Sequence, residues 1–182
     1  MAPARVPAPA APTVGCFHAT AMPDDERYIE IDGRRWRRSD PAIPDALNSE
    51  LVGELMSARR AVKAAKNDAD DDALAAARRR VDDAKVALGE RGRPWWEPPD
   101  EAALRQRLAA AIRALLRRRG TGRTICPSDA ARVAGGENWR DAMEAARQVA
   151  RRLADEGWLE IVRRGERVEP STRGPIRLRM RR

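Results

Sequence analysis

One histidine, two cysteines, one tyrosine and one phenylalanine in 182 residues leave this chain short of the side chains that most catalysis uses. The single histidine, His18, lies in a Pro/Ala-rich N-terminal stretch, away from every predicted helix or strand. Cys126 is followed by Pro127 and has no histidine near it in sequence, so no Cys–His nucleophile can be read. Ser128 and Asp129 are better explained as helix-start residues. There is no phosphate-binding G-x-x-x-x-G-K-[ST] loop and no G-x-G-x-x-G. Cys16 and His18 form C-F-H, two ligands where a complete metal site needs about four. The expectation is a non-enzyme without metal or cofactor. Cys16 and Cys126 share no C-x-x-C spacing, which fits a reducing cytoplasm better than a disulfide scaffold. No apolar run approaches the roughly 20 residues of a membrane span. Prolines interrupt the only stretch that could serve as a signal peptide, so a cytoplasmic protein without a membrane partner is expected.

Positive charge is plentiful. Lys and Arg number 36 against 28 Asp and Glu, a formal net charge of +8. That excess points to an anionic partner, with nucleic acid the first candidate and DNA preferred over RNA. A GC-rich genome would also enrich arginine and alanine, so charge alone does not decide the matter.

The predicted architecture is mainly α with small β-hairpins. Residues 1–23 repeat Pro-Ala and cannot bury enough apolar surface to offset their ordering entropy, so a disordered tail is expected. Residues 24–92 read as a β-hairpin followed by a helical hairpin. R-Y-I-E-I-D-G-R-R-W-R-R holds two short β-prone runs around Asp32-Gly33, a pair suited to a two-residue turn with φ > 0 at both positions. Trp36 would cover its apolar face, and the arginines beside it form a basic edge. Leu47, Leu51, Leu55, Ala58 and Val62 then mark one face of a helix over about 46–65. Leu74, Ala77, Val81, Ala84 and Leu88 mark another over about 71–88, ended by Gly89. The two make an antiparallel or coiled-coil-like hairpin, a candidate surface for a homodimer or a protein partner. Residues 24–91 carry 14 basic and 16 acidic side chains, so the positive charge lies elsewhere.

Residues 93–99, R-P-W-W-E-P-P, mark an extended linker with Trp95 and Trp96 as anchors. Residues 100–182 read as a winged helix-turn-helix. Asp100 caps a helix with a Leu104, Leu108, Ile112, Leu115, Leu116 stripe, whose charge is six Arg against two acids. Thr124-Ile125-Cys126 is a short strand. Ser128 is expected to cap a short helix, Gly135-Gly136 to turn the chain, and Asn138 with Asp141 to cap a third helix. That helix would pack through Trp139, Met143, Ala146, Ala150 and Leu153. The hairpin of residues 158–169 is the wing, and Ile176, Leu178 and Met180 alternate with Arg177, Arg179 and Arg181 in a last strand with one basic face.

The candidate nucleic-acid contacts are Arg140, Arg147, Gln148, Arg151 and Arg152 on the third helix, and Arg163, Arg164, Arg167, Arg173, Arg177, Arg179 and Arg181 on wing and tail. From Asn138 to Glu156 four Arg balance four acids, whereas residues 163–182 hold eight Arg against two Glu. That division predicts backbone grip by wing and tail rather than base reading by the helix. The competing reading is a protein-docking or scaffold module, or one that associates with RNA or ribosomes.

R-T-I-C-P-S-D-A-A-R-V-A-G-G-E-N-W-R, the later R-R-L-A-D-E-G-W-L-E-I and the closing R-G-P-I-R-L-R resemble a small bacterial winged-helix family catalogued as a domain of unknown function. The likeness runs from about Glu101 to Arg179 and implies the fold but no substrate, catalytic residue or partner. Y-I-E-I-D-G-R-R-W-R-R-S-D-P and A-K-V-A-L-G-E-R-G-R-P-W-W resemble a segment of small proteins of high-GC bacteria, some labelled biopolymer transporters. That label finds no support in this sequence, which has neither a membrane span nor a signal.

Overall fold

Asp32 and Gly33 make the turn their chemistry suits, with φ of 52° and 70°. They join β1 (Tyr28–Ile31) to β2 (Arg34–Arg37), antiparallel, with Ile29 opposite Trp36. A four-residue helix, α1 (Asp24–Arg27), precedes them. The computed structural model describes residues 23–172 and 174–181. The tail through Met22, with Cys16 and His18, therefore lies outside the described residues, as do Arg173 and Arg182.

The hairpin's arginines are largely engaged in holding it in place. Arg35 stacks over the Tyr28 ring at 4.3 Å and pairs with Asp24. Arg37 donates to the carbonyls of Gly89 and Gly92, and Arg38 to that of Tyr28. Trp95 donates its indole N–H to the Arg38 carbonyl at 3.0 Å, and Trp96 meets Tyr28 edge to face. The tryptophan pair is thus an anchor that fastens residues 93–99 to the hairpin.

Two long helices follow, α2 (Asp45–Asn67) and α3 (Asp71–Ala87), packed together across a three-residue turn. Asp70 caps α3 by accepting from the Ala73 amide at 2.9 Å. Leu47, Leu51, Leu55 and Ala58 of α2 are buried as the spacing predicts. Between them, Glu54 is 2% exposed and accepts two bonds from Arg80 of α3, at 2.8 and 3.2 Å.

Asp100 caps α4 (Glu101–Arg119), accepting from the Ala103 amide at 2.7 Å. The expected stripe is buried from Leu108 onward, but so are Ala110, Ala111 and Ala114 on other sides of the helix. Alanine lets neighbours approach closely, so α4 is enclosed by α2 and α3 on one side and by α5 (Pro127–Gly135) and α6 (Met143–Asp155) on the other. The buried residues form one cluster that runs from Ile43 to Leu178. The segment 93–99 does not separate two hydrophobic cores.

Ion pairs reinforce the enclosure. Asp40 receives Arg107 at 2.7 Å, and Asp83 of α3 receives Arg113 and Arg117 at 2.8 and 2.7 Å. Arg119 binds Glu50 of α2, Asp129 of α5 and the Thr124 carbonyl. Its guanidinium is held above the ordinary arginine range, first by the hydrogen bond with Glu50. Arg107, Arg113, Arg117 and Arg119 of α4 therefore serve packing.

Two expected caps are displaced. Ser128 does not cap α5: Cys126 occupies that position, Pro127 is the first helical residue, and Asp129 reaches back to the Cys126 amide at 3.0 Å. Asn138 and Asp141 do not cap the third helix. Gly136–Asn138 form a 3₁₀ turn, and i→i+3 bonds continue through Asp141 and Met143 before α6 begins. Gly136, at φ 52°, explains the tight path, because a Cβ there would lie 2.9 Å from the Cβ of Ala42.

β3 (Thr124–Ile125), β4 (Leu159–Arg163), β5 (Glu166–Arg167) and β6 (Arg177–Met180) complete the chain as an antiparallel sheet in the order β3-β6-β4-β5. The wing's returning strand, Glu166–Arg167, stops short of the expected end of the hairpin at residue 169. Arg164 and Gly165 make its turn, both at positive φ, and Arg163 stands opposite Glu166 in the backbone ladder.

Candidate nucleic-acid interface

Strand alternation sorts the side chains of this sheet. Ile125, Leu178 and Ile161 are in register and buried in the core cluster. Thr124, Arg179 and Glu160 form the next row, on the opposite face. Arg167, Val162 and Arg177 form the row beyond it. Arg181 continues the alternation of β6. The outer face of the sheet thus carries Arg167, Arg177, Arg179 and Arg181 around one acid, Glu160.

Glu160 accepts from Arg179 at 2.9 and 3.2 Å, and Arg179 also donates to the Gly165 carbonyl. The Glu160 carboxyl is held below the ordinary glutamate value of 4.5, first by that hydrogen bond and then by the charges of Arg179, Arg167 and Arg181. A group whose folded pKa is depressed adds stability above its unfolded pKa and loses it as pH falls through the folded value. Removing the charge should therefore flatten the acid side of the stability profile. Thermal unfolding of Glu160→Gln from pH 7 to pH 3 checks this: its melting temperature should fall less steeply below about pH 4.5 than that of the wild type.

Arg163 and Arg164, at the tip of the wing, and Arg167 are exposed and have no carboxylate partner among the described residues. Arg177 donates to the Thr124 hydroxyl at 3.2 Å. Arg163 lies beside Gly174, whose carbonyl accepts from Arg147 of α6 at 3.1 Å, so the loop before β6 is tied to α6.

The cations of α6 are mostly occupied. Arg151 pairs with Glu144 at 3.6 Å and Arg152 with Glu156 at 2.8 Å, while the Gln148 amide donates to Glu144. Arg140 precedes the helix and lies over the Trp139 ring at 4.6 Å, with Arg132 over the same ring at 4.8 Å. Trp139 and Met143 pack on the core beside buried Ala146, Ala150 and Leu153, as expected. Of the candidate contacts, Arg167, Arg177, Arg179 and Arg181 share the outer sheet face. Arg147 and Arg163 meet at Gly174, and Arg140, Arg151, Arg152 and Gln148 lie apart on or before α6.

Arg132 and Glu160 were not among the sequence candidates. The alternation Leu159-Glu160-Ile161 held the signal for Glu160. Nothing in the sequence brought Arg132 to Trp139, because that contact spans the helix–helix turn.

The comparisons with known proteins fit this C-terminal region. Residues 105–181, from the second turn of α4 through β6, match the family described as "Protein of unknown function (DUF3253)". No curated protein matches the chain.

Proposed function

We propose that residues 100–182 form a winged helix-turn-helix module that binds nucleic acid, duplex DNA before RNA, through phosphate contacts made by the sheet face and the wing. The order α4, β3, α5, α6, β4, β6, with β6 inserted between β3 and β4, supports the winged-helix reading. The observation that carries the binding is the face on which Arg167, Arg177, Arg179 and Arg181 surround Glu160 alone. α6 supports backbone grip over base reading, since its arginines are bonded to Glu144, Glu156 and the Gly174 carbonyl. Such a module fits a regulatory protein of modest sequence preference in the cytoplasm.

The test is a mobility-shift titration with random duplex DNA at several salt concentrations. About four phosphate contacts would give a log–log salt slope near −4, and Arg177→Gln with Arg181→Gln should reduce it by about two. Glu160→Gln removes the one acid of the face and should tighten binding by about two- to five-fold at low salt. No shift with about 50 µM protein at low salt overturns the reading. Duplex RNA in parallel decides the preference.

A second reading, docking of a protein or a second copy, is favoured by a different observation. The large apolar side chains most exposed among the described residues, Ile29, Ile31, Trp36, Val52 and Met56, all lie in the N-terminal half. Val52 and Met56 sit one turn apart on α2. Concentration-dependent dimerisation in sedimentation, without a DNA shift, would support this reading over the first.

A further inference from the structure

A groove of about 700 Å³ opens between Trp95, Trp96, Pro98 and Pro99 on one wall and the α5–α6 turn, with Glu137 and Asp141, on the other. We infer that this groove holds the chain's own N-terminal segment around residues 3–12, with Arg5 set against Glu137 and Asp141. Its chemistry, its charge and the place where the described chain begins point the same way.

The groove is mostly apolar and walled by tryptophan and proline. Surfaces of that kind take up proline-rich peptides, which lose little entropy on binding because the polyproline II conformation is already extended. The first twelve residues, M-A-P-A-R-V-P-A-P-A-A-P, supply Pro3, Pro7, Pro9 and Pro12.

The charges complement each other. The groove's basic side chains are already engaged: Arg91 with Asp82, Arg93 with Asp100 and Glu97, and Arg107 with Asp40. Glu137 and Asp141 are exposed and have no ion-pair partner among the described residues. The free charge of the groove is negative. Residues 1–22 contain no acid and one arginine, Arg5.

Position also favours the tail. Arg27, four residues after Pro23, lies over the Trp96 ring at 5.3 Å, and Tyr28 meets the same ring at 5.4 Å. The chain therefore enters next to the tryptophan wall. Residues 5–12 would reach roughly 20 Å along it at about 3.1 Å per residue. A short tether gives an effective concentration on the order of a millimolar, so even a segment affinity of about 0.3 mM would leave it docked most of the time.

The experiment uses the full chain. Cys126→Ser leaves Cys16 as the one thiol and keeps a residue able to cap α5. Cys16 is then labelled with bimane, whose emission is quenched on contact with tryptophan. The expected result is quenched emission that rises about two-fold or more in Glu137→Lys/Asp141→Lys, as docking is lost. Arg5→Glu should raise it likewise, and Arg5→Glu combined with the two lysines should restore the quench. The charge swap separates docking from damage to the fold, because misfolding would not be rescued. Equal emission in all four proteins overturns the inference, as does a change on the groove side without rescue. Micromolar binding of an added arginine- and proline-rich peptide with the label undisturbed would also overturn it, since the occupant would then be another chain. Circular dichroism of each variant confirms that the compared proteins are folded.

Discussion

Ile112→Ala should destabilise the protein by about 2–5 kcal/mol and should weaken both halves together. Ile112 is completely buried in α4, and α4 is the helix that both halves pack against. Deleting its side chain removes the transfer energy of three carbons and leaves a cavity among neighbours that alanines already hold close. In a chain of this size the loss corresponds to roughly 10 °C in melting temperature. The sharing of the core is what the measurement can challenge. Trp36, Trp95 and Trp96 report on the N-terminal half, Trp139 and Trp158 on the C-terminal half. Guanidinium unfolding followed by tryptophan emission should coincide with unfolding followed by far-ultraviolet circular dichroism, in wild type and variant alike. Two separated transitions, with only one moved by Ile112→Ala, would show that the halves are independently stable.

Arg80→Ala should cost at least as much, about 3–5 kcal/mol, for an electrostatic reason. The Glu54 carboxylate is almost fully buried between α2 and α3, and Arg80 supplies two of its hydrogen bonds. With the guanidinium gone, a charge remains in a low-dielectric site with its main partner missing. Removing both partners is a milder change. Glu54→Met with Arg80→Met places apolar side chains of similar size in the same space and should lie within about 1–2 kcal/mol of the wild type. Denaturant midpoints of the two variants check the order. A double variant less stable than Arg80→Ala would mean that the pair contributes net stability beyond avoiding an unpaired charge.

Much of this fold could be read from residue spacing alone. The leucine steps in α2 and the cap at Asp100 were legible because they depend on neighbours within one or two turns. So were the Asp32-Gly33 hairpin and the Ile176–Arg181 alternation. The start of α6 was not, since Asn138 and Asp141 have the right identities for a capping box. What displaces it is the approach of Ala42 to Gly136, a contact from nearly a hundred residues away. The enclosure of α4 was hidden for a related reason: its spacing marks one stripe of leucine and isoleucine, and Ala110, Ala111 and Ala114 lie off that stripe, buried by helices distant in sequence. For the candidate interface, charge counts located the basic region but could not tell engaged arginines from free ones. Nothing in a charge count separates Arg113 and Arg117, which meet Asp83 of another helix, from Arg177, which meets the Thr124 hydroxyl.

The position of β6 inside the sheet also bears on how the chain reaches its folded state. Thr124 pairs with Arg179, more than fifty residues later, and β6 must enter between β3 and β4 to meet both. The helices before it make mostly local contacts and can form early. Closing the sheet joins its own most distant strands, and it creates the arginine face at the same moment, because Arg177 and Arg179 arrive on the strand that closes it. The charged surface is therefore a product of the sheet's longest-range pairing, and a chain caught before that step would keep its helices while lacking the surface on which nucleic-acid binding is proposed.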